Sequence, residues 1–223
     1  MIFPFVLSAG LAGAFFWLVW QNRRAAAQRQ AARTGYFDTV APLFADVVHR
    51  IEASGFARMS GRWGGVRFDL QAVPDTLTFR KLPVLWVMVT LTEEICIAGK
   101  VHIMRRPTQA EVFSHFGLMP EGVALPPGFP DDCALRCEAA DGLPLAVIAE
   151  QAGLFGDRTV KELVMTPKGL RIVLLGEEAE RTKYLLYRDA EMGSTPFPAA
   201  QLVPQLQALL ALRIRLSEEA AHG

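Results

Sequence analysis

The sequence predicts an α+β protein in which an N-terminal transmembrane helix precedes a mostly antiparallel sheet packed against helices. Three observations carry this expectation. Ile2 to Trp20 is a run of nineteen residues without a charged side chain. Beyond it, stretches with apolar residues at every second position mix with stretches spaced at three and four, the signatures of strands and helices. The 223 residues are 51% hydrophobic and 21% charged, with 14 Phe and 4 Trp, which supplies a core and excludes a disordered chain. Three cysteines exclude a disulfide scaffold.

At helical rise the first apolar run reaches about 28 Å, enough for a hydrocarbon core of about 30 Å. Pro4 falls in the first turn, where its missing N–H is tolerated. Trp17 and Trp20 mark the far end, where an indole can bury its ring and wet its N–H. A cleaved signal peptide would need basic residues ahead of the run, whereas Arg23 and Arg24 follow it. Residues 1–37 hold Arg23, Arg24, Arg29 and Arg33 and no acid, while the remainder has 19 basic against 23 acidic side chains. The positive-inside bias therefore places a single-pass protein in the inner (plasma) membrane, N-terminus out and C-terminal domain cytoplasmic. Ala9/Gly13 and Gly10/Ala14 are small-xxx-small pairs that allow close helix packing in lipid. Gln21 to Arg33 favours continuation of the helix, with Trp17, Trp20 and the four arginines at lipid head-group level. The division expected is a transmembrane helix over 1–21, a basic juxtamembrane segment over 22–37, and a soluble α+β domain over 38–223.

In the soluble part, Asp38 or Thr39 can cap a helix carrying Val40, Leu43, Phe44, Val47, Val48 and Ile51 on one face, ended by Gly55. Val66, Phe68, Leu70 and Ala72 alternate with polar residues as a half-buried strand. Pro74-Asp75 reads as a turn that would set Asp69 opposite Arg80 and Gln71 opposite Thr78. Leu82 to Leu91 is a nearly continuous apolar run, as in a central strand. Ile95–Ala98 and Val101–Met104 read as strands and Thr108–Phe116 as a short helix. The Pro-rich stretch 117–132 is a loop with fixed bends, near which two lobes could meet. Cys133–Cys137 reads as a strand, and Leu145, Ile148, Ala149 and Ala152 as a short helix behind Pro144. Glu162–Thr166 and Leu170–Leu175 form a hairpin. Tyr184–Tyr187 reads as a strand, with a helix from Glu177 as the alternative. Ala199–Glu219 is a closing helix.

No phosphate loop, G-x-S-x-G, H-E-x-x-H or C-x-x-C motif occurs. Cys133 and Cys137 share one face of a strand, about 13 Å apart, too far for a disulfide and better read as small apolar residues. Neither a metal nor any other cofactor is implied. Arg105-Arg106 at a strand end could form an anion-binding rim with Arg80-Lys81, and His115 between Phe113 and Phe116 is the one histidine with suggestive company. The expected role is therefore binding, not catalysis. It is that of a membrane-anchored protein whose cytoplasmic domain serves protein binding or membrane-complex assembly, with the membrane, another membrane protein or a second copy as partner. Nucleic acid is excluded, because the folded part has no basic surplus. The alternative is a membrane-associated enzyme or carrier for a small anionic or lipid-derived ligand, which requires Arg105, Arg106 and His115 to converge on one cleft.

Overall fold

The computed structural model describes residues 2–76, 82–108, 111–187 and 190–222, with side chains in the first helix from Gly10 onward. Helix α1, Ile2–Thr34, is continuous, so the basic stretch does extend the N-terminal segment. Among the described residues no helix is long and apolar enough to cross a membrane. The expected span reaches back to Ile2, and its side chains before Gly10, Ala9 included, lie outside those described. Arg29 pairs with Glu191 at 3.4 Å, the Arg33 guanidinium lies 5.4 Å from the Phe56 ring centre, and Gln30 donates to the Gly55 carbonyl. These contacts seat the end of α1 on the domain.

The strands are β1 (Ala45–Ile51), β2 (Ala57–Trp63), β3 (Val66–Asp75), β4 (Val84–Leu91), β5 (Val101–Arg105), β6 (Glu121–Val123), β7 (Cys133–Cys137), β8 (Val160–Thr166) and β9 (Gly169–Glu178). They form one antiparallel sheet in the order β1-β2-β3-β4-β9-β8-β5-β7-β6. A meander supplies β1–β4, and the β8–β9 hairpin fills the gap between β4 and β5. Strands from both sides of the Pro-rich loop thus join one sheet. The helices are α2 (Leu145–Glu150), α3 (Arg181–Tyr187) and α4 (Ala199–His222). Helix α4 lies on β4 and β9 and against α2, burying Leu202, Leu206, Leu209 and Leu216 on the sheet. Phe37, Phe56 and Phe197 close that core beside α1.

Several expectations need correction. The helix expected from Asp38 to Ile51 is a set of turns, one 3-10 turn at Ala41–Leu43, and then β1. The β-branched Val48 and Ile51 pair with Ser60 and Ala57 of β2 instead, past a register shift that follows Ala45. Val40 and Phe44 keep their places in the core, while Val48 and Ile51 are exposed at the sheet edge. Pro74-Asp75 is not a turn: it ends β3, opposite Leu85 and Val84. β2 pairs no further than Gln71, so the missing N–H of Pro74 faces no neighbour. Gln71 is flanked by Arg58 and Met88 and Asp69 by Ser60 and Thr90, while Thr78 and Arg80 lie outside the described residues. Ile95–Ala98 is irregular, although Ile95 is buried. Of the short helix expected over Thr108–Phe116, residues 109 and 110 lie outside those described, 111–115 are turn and irregular chain, and a 3-10 turn follows at Phe116–Leu118. Tyr184–Tyr187 belongs to helix α3 rather than to a strand.

Candidate functional site

Because side chains alternate along a strand, the row just beside the core row faces the opposite side of the sheet. Asp69 lies opposite Thr90, Thr90 opposite Arg171, Arg171 opposite Val164, Val164 opposite His102 and His102 opposite Arg136. This transverse row carries polar groups on every strand but β8. The segment 107–119 leaves β5 and crosses this face as a strap; residues 109 and 110 lie outside the described ones. Arg106, at φ 45°, turns the chain into it. The strap is seated by Phe113 and Phe116, which pack on Trp86, Met88, Met104 and Val173.

A β-bulge in β8 supplies two polar anchors. Val160 faces Leu174 and Glu162 faces Val173, so Lys161 is the extra residue. Lys161 reaches Glu111 at 2.9 Å and donates to the carbonyls of Arg105 and Arg106. Glu162 is wholly inaccessible and accepts from His102 Nδ1 at 2.8 Å and from Ser114 Oγ. Its other oxygen has no hydrogen-bond partner among the described residues. An ionised Glu162 only accepts, which assigns the proton to Nδ1 and leaves Nε2 as the free ring nitrogen. The Ser114 hydroxyl also accepts from the Phe116 amide. It is engaged at both ends and stands on the carboxylate rather than on His102, the wrong order for a serine nucleophile.

Between strap and sheet lies a cavity of about 630 Å³. Its floor holds Thr90, Arg171, Glu162, Val164 and His102; Lys100, Lys168 and His115 stand around it; Phe113, Leu118 and Met119 form an apolar wall. Leu118 is 74% exposed, an unusually bare apolar side chain at the mouth. Arg171 Nε donates to Thr90 Oγ1 at 3.0 Å. Burial pushes its guanidinium pKa down, while Glu162 and Asp69 oppose that shift. Arginine remains charged under such conditions, so a half-buried cation faces the cavity. Glu162 is the lone acid in the lining, against Arg171, Lys100 and Lys168.

Of the residues singled out from sequence, His115 reaches the cavity and Arg105 and Arg106 do not, so the three fail to converge and the ligand site expected from them is corrected: the cavity's cation is Arg171. Arg105 Nε holds Asp132 at 3.0 and 3.1 Å and its Nη1 donates to the Phe155 carbonyl, under the helix-covered face. Arg106 approaches the same carboxylate at 3.7 Å. The expected rim is therefore an ion cluster around Asp132, and Arg80 and Lys81 lie outside the described residues. On α1, Trp17 and Trp20 are exposed and Arg24 sits over Trp20. Of the small residues read as a helix-packing face, Gly10, Gly13 and Ala14 are all exposed, and open space surrounds both glycines. The side chain of Ala9, the fourth of that set, lies outside those described. Within the chain, then, Gly10, Gly13 and Ala14 are not buried against any described element, and the contacts of α1 with the domain described above lie in its C-terminal turns. Among the described residues no group of acids, histidines and cysteines could hold a metal ion. Sequence reading missed Arg171, Glu162 and His102. The available signal was Lys161-Glu162 inside an otherwise apolar strand.

The chain matches no protein-family model, no curated protein and no solved structure.

Proposed function

We propose that this chain is a membrane-tethered domain that holds a small organic anion with an apolar part. In this reading Ile2–Trp20 spans the inner membrane, Arg23 and Arg24 meet the cytoplasmic head groups, and α1 carries the domain just inside. The apolar run, the arginines that follow it and the continuous helix support the tether. The single observation behind the ligand class is Arg171, a half-buried cation on the floor of an open-mouthed cavity that has an apolar wall and one acid already engaged. Glu162 and Asp69 act on Arg171 through space while His102 and Arg58 hold them, so a carboxylate in direct contact would compensate its desolvation further, which favours an anionic occupant.

Calorimetry on the full chain in nanodiscs, titrated with octanoate and with octanol, tests this. Octanoate is expected to bind and octanol not, and Arg171→Gln to weaken octanoate by about tenfold, the loss of one charge-assisted contact. Equal binding of both probes, or binding of neither, overturns it.

A role in assembly with another membrane protein or a second copy is the second reading. The unpaired outer edge of β1, with Val48 and Ile51 exposed, favours it. Cross-linking in native membranes that returns only monomer excludes it.

A further inference from the structure

We propose that the cavity is catalytic, with His102 as general base in the hydrolysis of an anionic carboxylic ester. The inference rests on the anion-binding reading and deepens it. Three features converge. The Glu162 contact holds the proton on Nδ1, leaving the Nε2 lone pair for the cavity; no described residue bonds to Nε2. His102 and Arg171 lie on one transverse row with only Val164 between them, two strand spacings or about 10 Å apart at the backbone. An anion held by Arg171 therefore leaves the rest of the ligand over Val164 and beside the imidazole. Thr90 accepts from Arg171 and so keeps its own hydroxyl proton for the ester carbonyl oxygen.

In the first step Nε2 takes a proton from a water molecule as the water oxygen bonds to the acyl carbon. In the second, the acyl carbon–oxygen bond breaks and the proton passes from Nε2 to the departing alkoxide, giving a carboxylic acid and an alcohol. Glu162 is a positioning residue that orients the ring and stabilises the imidazolium. Burying a carboxylate and a histidine inside a sheet is costly, and a fold that needed only packing here would place two apolar side chains, as it does one residue further along.

The test uses the full chain in nanodiscs with mono-4-nitrophenyl glutarate, whose free carboxylate suits Arg171, and with neutral 4-nitrophenyl acetate. His102→Ala is expected to lower kcat on both esters by about a hundredfold or more, with KM unchanged. Added imidazole should restore part of the rate, which a merely structural role would not allow. Glu162→Gln should lower kcat less, and Arg171→Gln should raise KM for the glutarate ester about tenfold more than for the acetate, whose own loss reports the Thr90 contact that both esters share. His102→Gln, closer in shape, serves if the alanine variant fails to fold by circular dichroism. Turnover by the native chain no faster than by the His102 variants overturns the inference, and so does failure of imidazole rescue. Titration with glutarate, the acid product, separates the two readings: glutarate bound without turnover removes only the catalysis, whereas no glutarate binding removes the anion site as well.

Discussion

Two neighbouring rows cross the sheet one residue apart and face opposite ways. Leu70, Val89, Ile172, Leu163, Ile103 and Leu135 lie side by side under α4 and α2, all buried. Asp69, Thr90, Arg171, Val164, His102 and Arg136 lie side by side on the other face, under a strap held by two aromatic rings and two buried polar contacts. The same strands in the same register thus build a dry, close-packed layer and a polar layer with a cavity. The difference lies in the cover. Long helices exclude water through many apolar contacts, whereas a short strap leaves room above the strands and needs specific polar anchors to stay in place.

This contrast can be broken most severely on the helix side. Leu163→Ala should cost about 2–5 kcal/mol, the range for truncating a fully buried leucine, read as a lower midpoint in chemical denaturation. Octanoate affinity should hold for as long as the domain stays folded.

On the strap side the anchors matter more than the packing. Lys161→Met leaves Glu111 buried without its cation and should cost about 3 kcal/mol, together with faster proteolysis within the strap. Adding Glu111→Leu should recover part of that loss, because the orphaned charge is then gone while the Arg105 and Arg106 carbonyls still lack their donor. A double variant as unstable as the single one would show that the ion pair is not the anchor.

Arg171→Gln sharpens the contrast differently. Stability should change by about 1 kcal/mol or less, since one hydrogen bond to Thr90 is lost, while anion affinity falls. A large loss of stability with unchanged affinity would recast Arg171 as a packing residue.

The smallest effect concerns pH. Burial first, then the nearby Glu177 charge, pushes the Tyr36 phenol upward. A raised folded-state value means that the unfolded chain releases its proton first. The contribution is complete below about pH 10, the ordinary phenol value, and is lost as pH climbs beyond it. Tyr36→Phe should remove that alkaline slope in denaturation midpoints measured across the range. A slope unchanged in the variant would assign it to other groups.

Much of the architecture is legible in local pattern. The alternation at Val66–Ala72, the apolar run before Leu91, the β8–β9 hairpin around Pro167-Lys168 and the leucine stripe of α4 all follow from spacing and turn chemistry. The errors fall where spacing suits two readings. Val40 to Ile51 fits a helical stripe, and pairing with the edge of β2 makes its second half a strand. The candidate site was nearly invisible. His102 and Glu162 are 60 residues apart, and neither stands out until β5 and β8 become neighbours.

What the residues by themselves determined is therefore the elements whose spacing allows one reading, β3, β4, β8, β9 and α4, and the face each of their side chains takes, because backbone geometry and side-chain alternation act over a few residues. Which strand lies beside which was decided only in the tertiary structure. The β8–β9 hairpin closes between β4 and β5 because that position buries its apolar face under α4, and the same closure carries Arg171, Glu162 and His102 onto one floor.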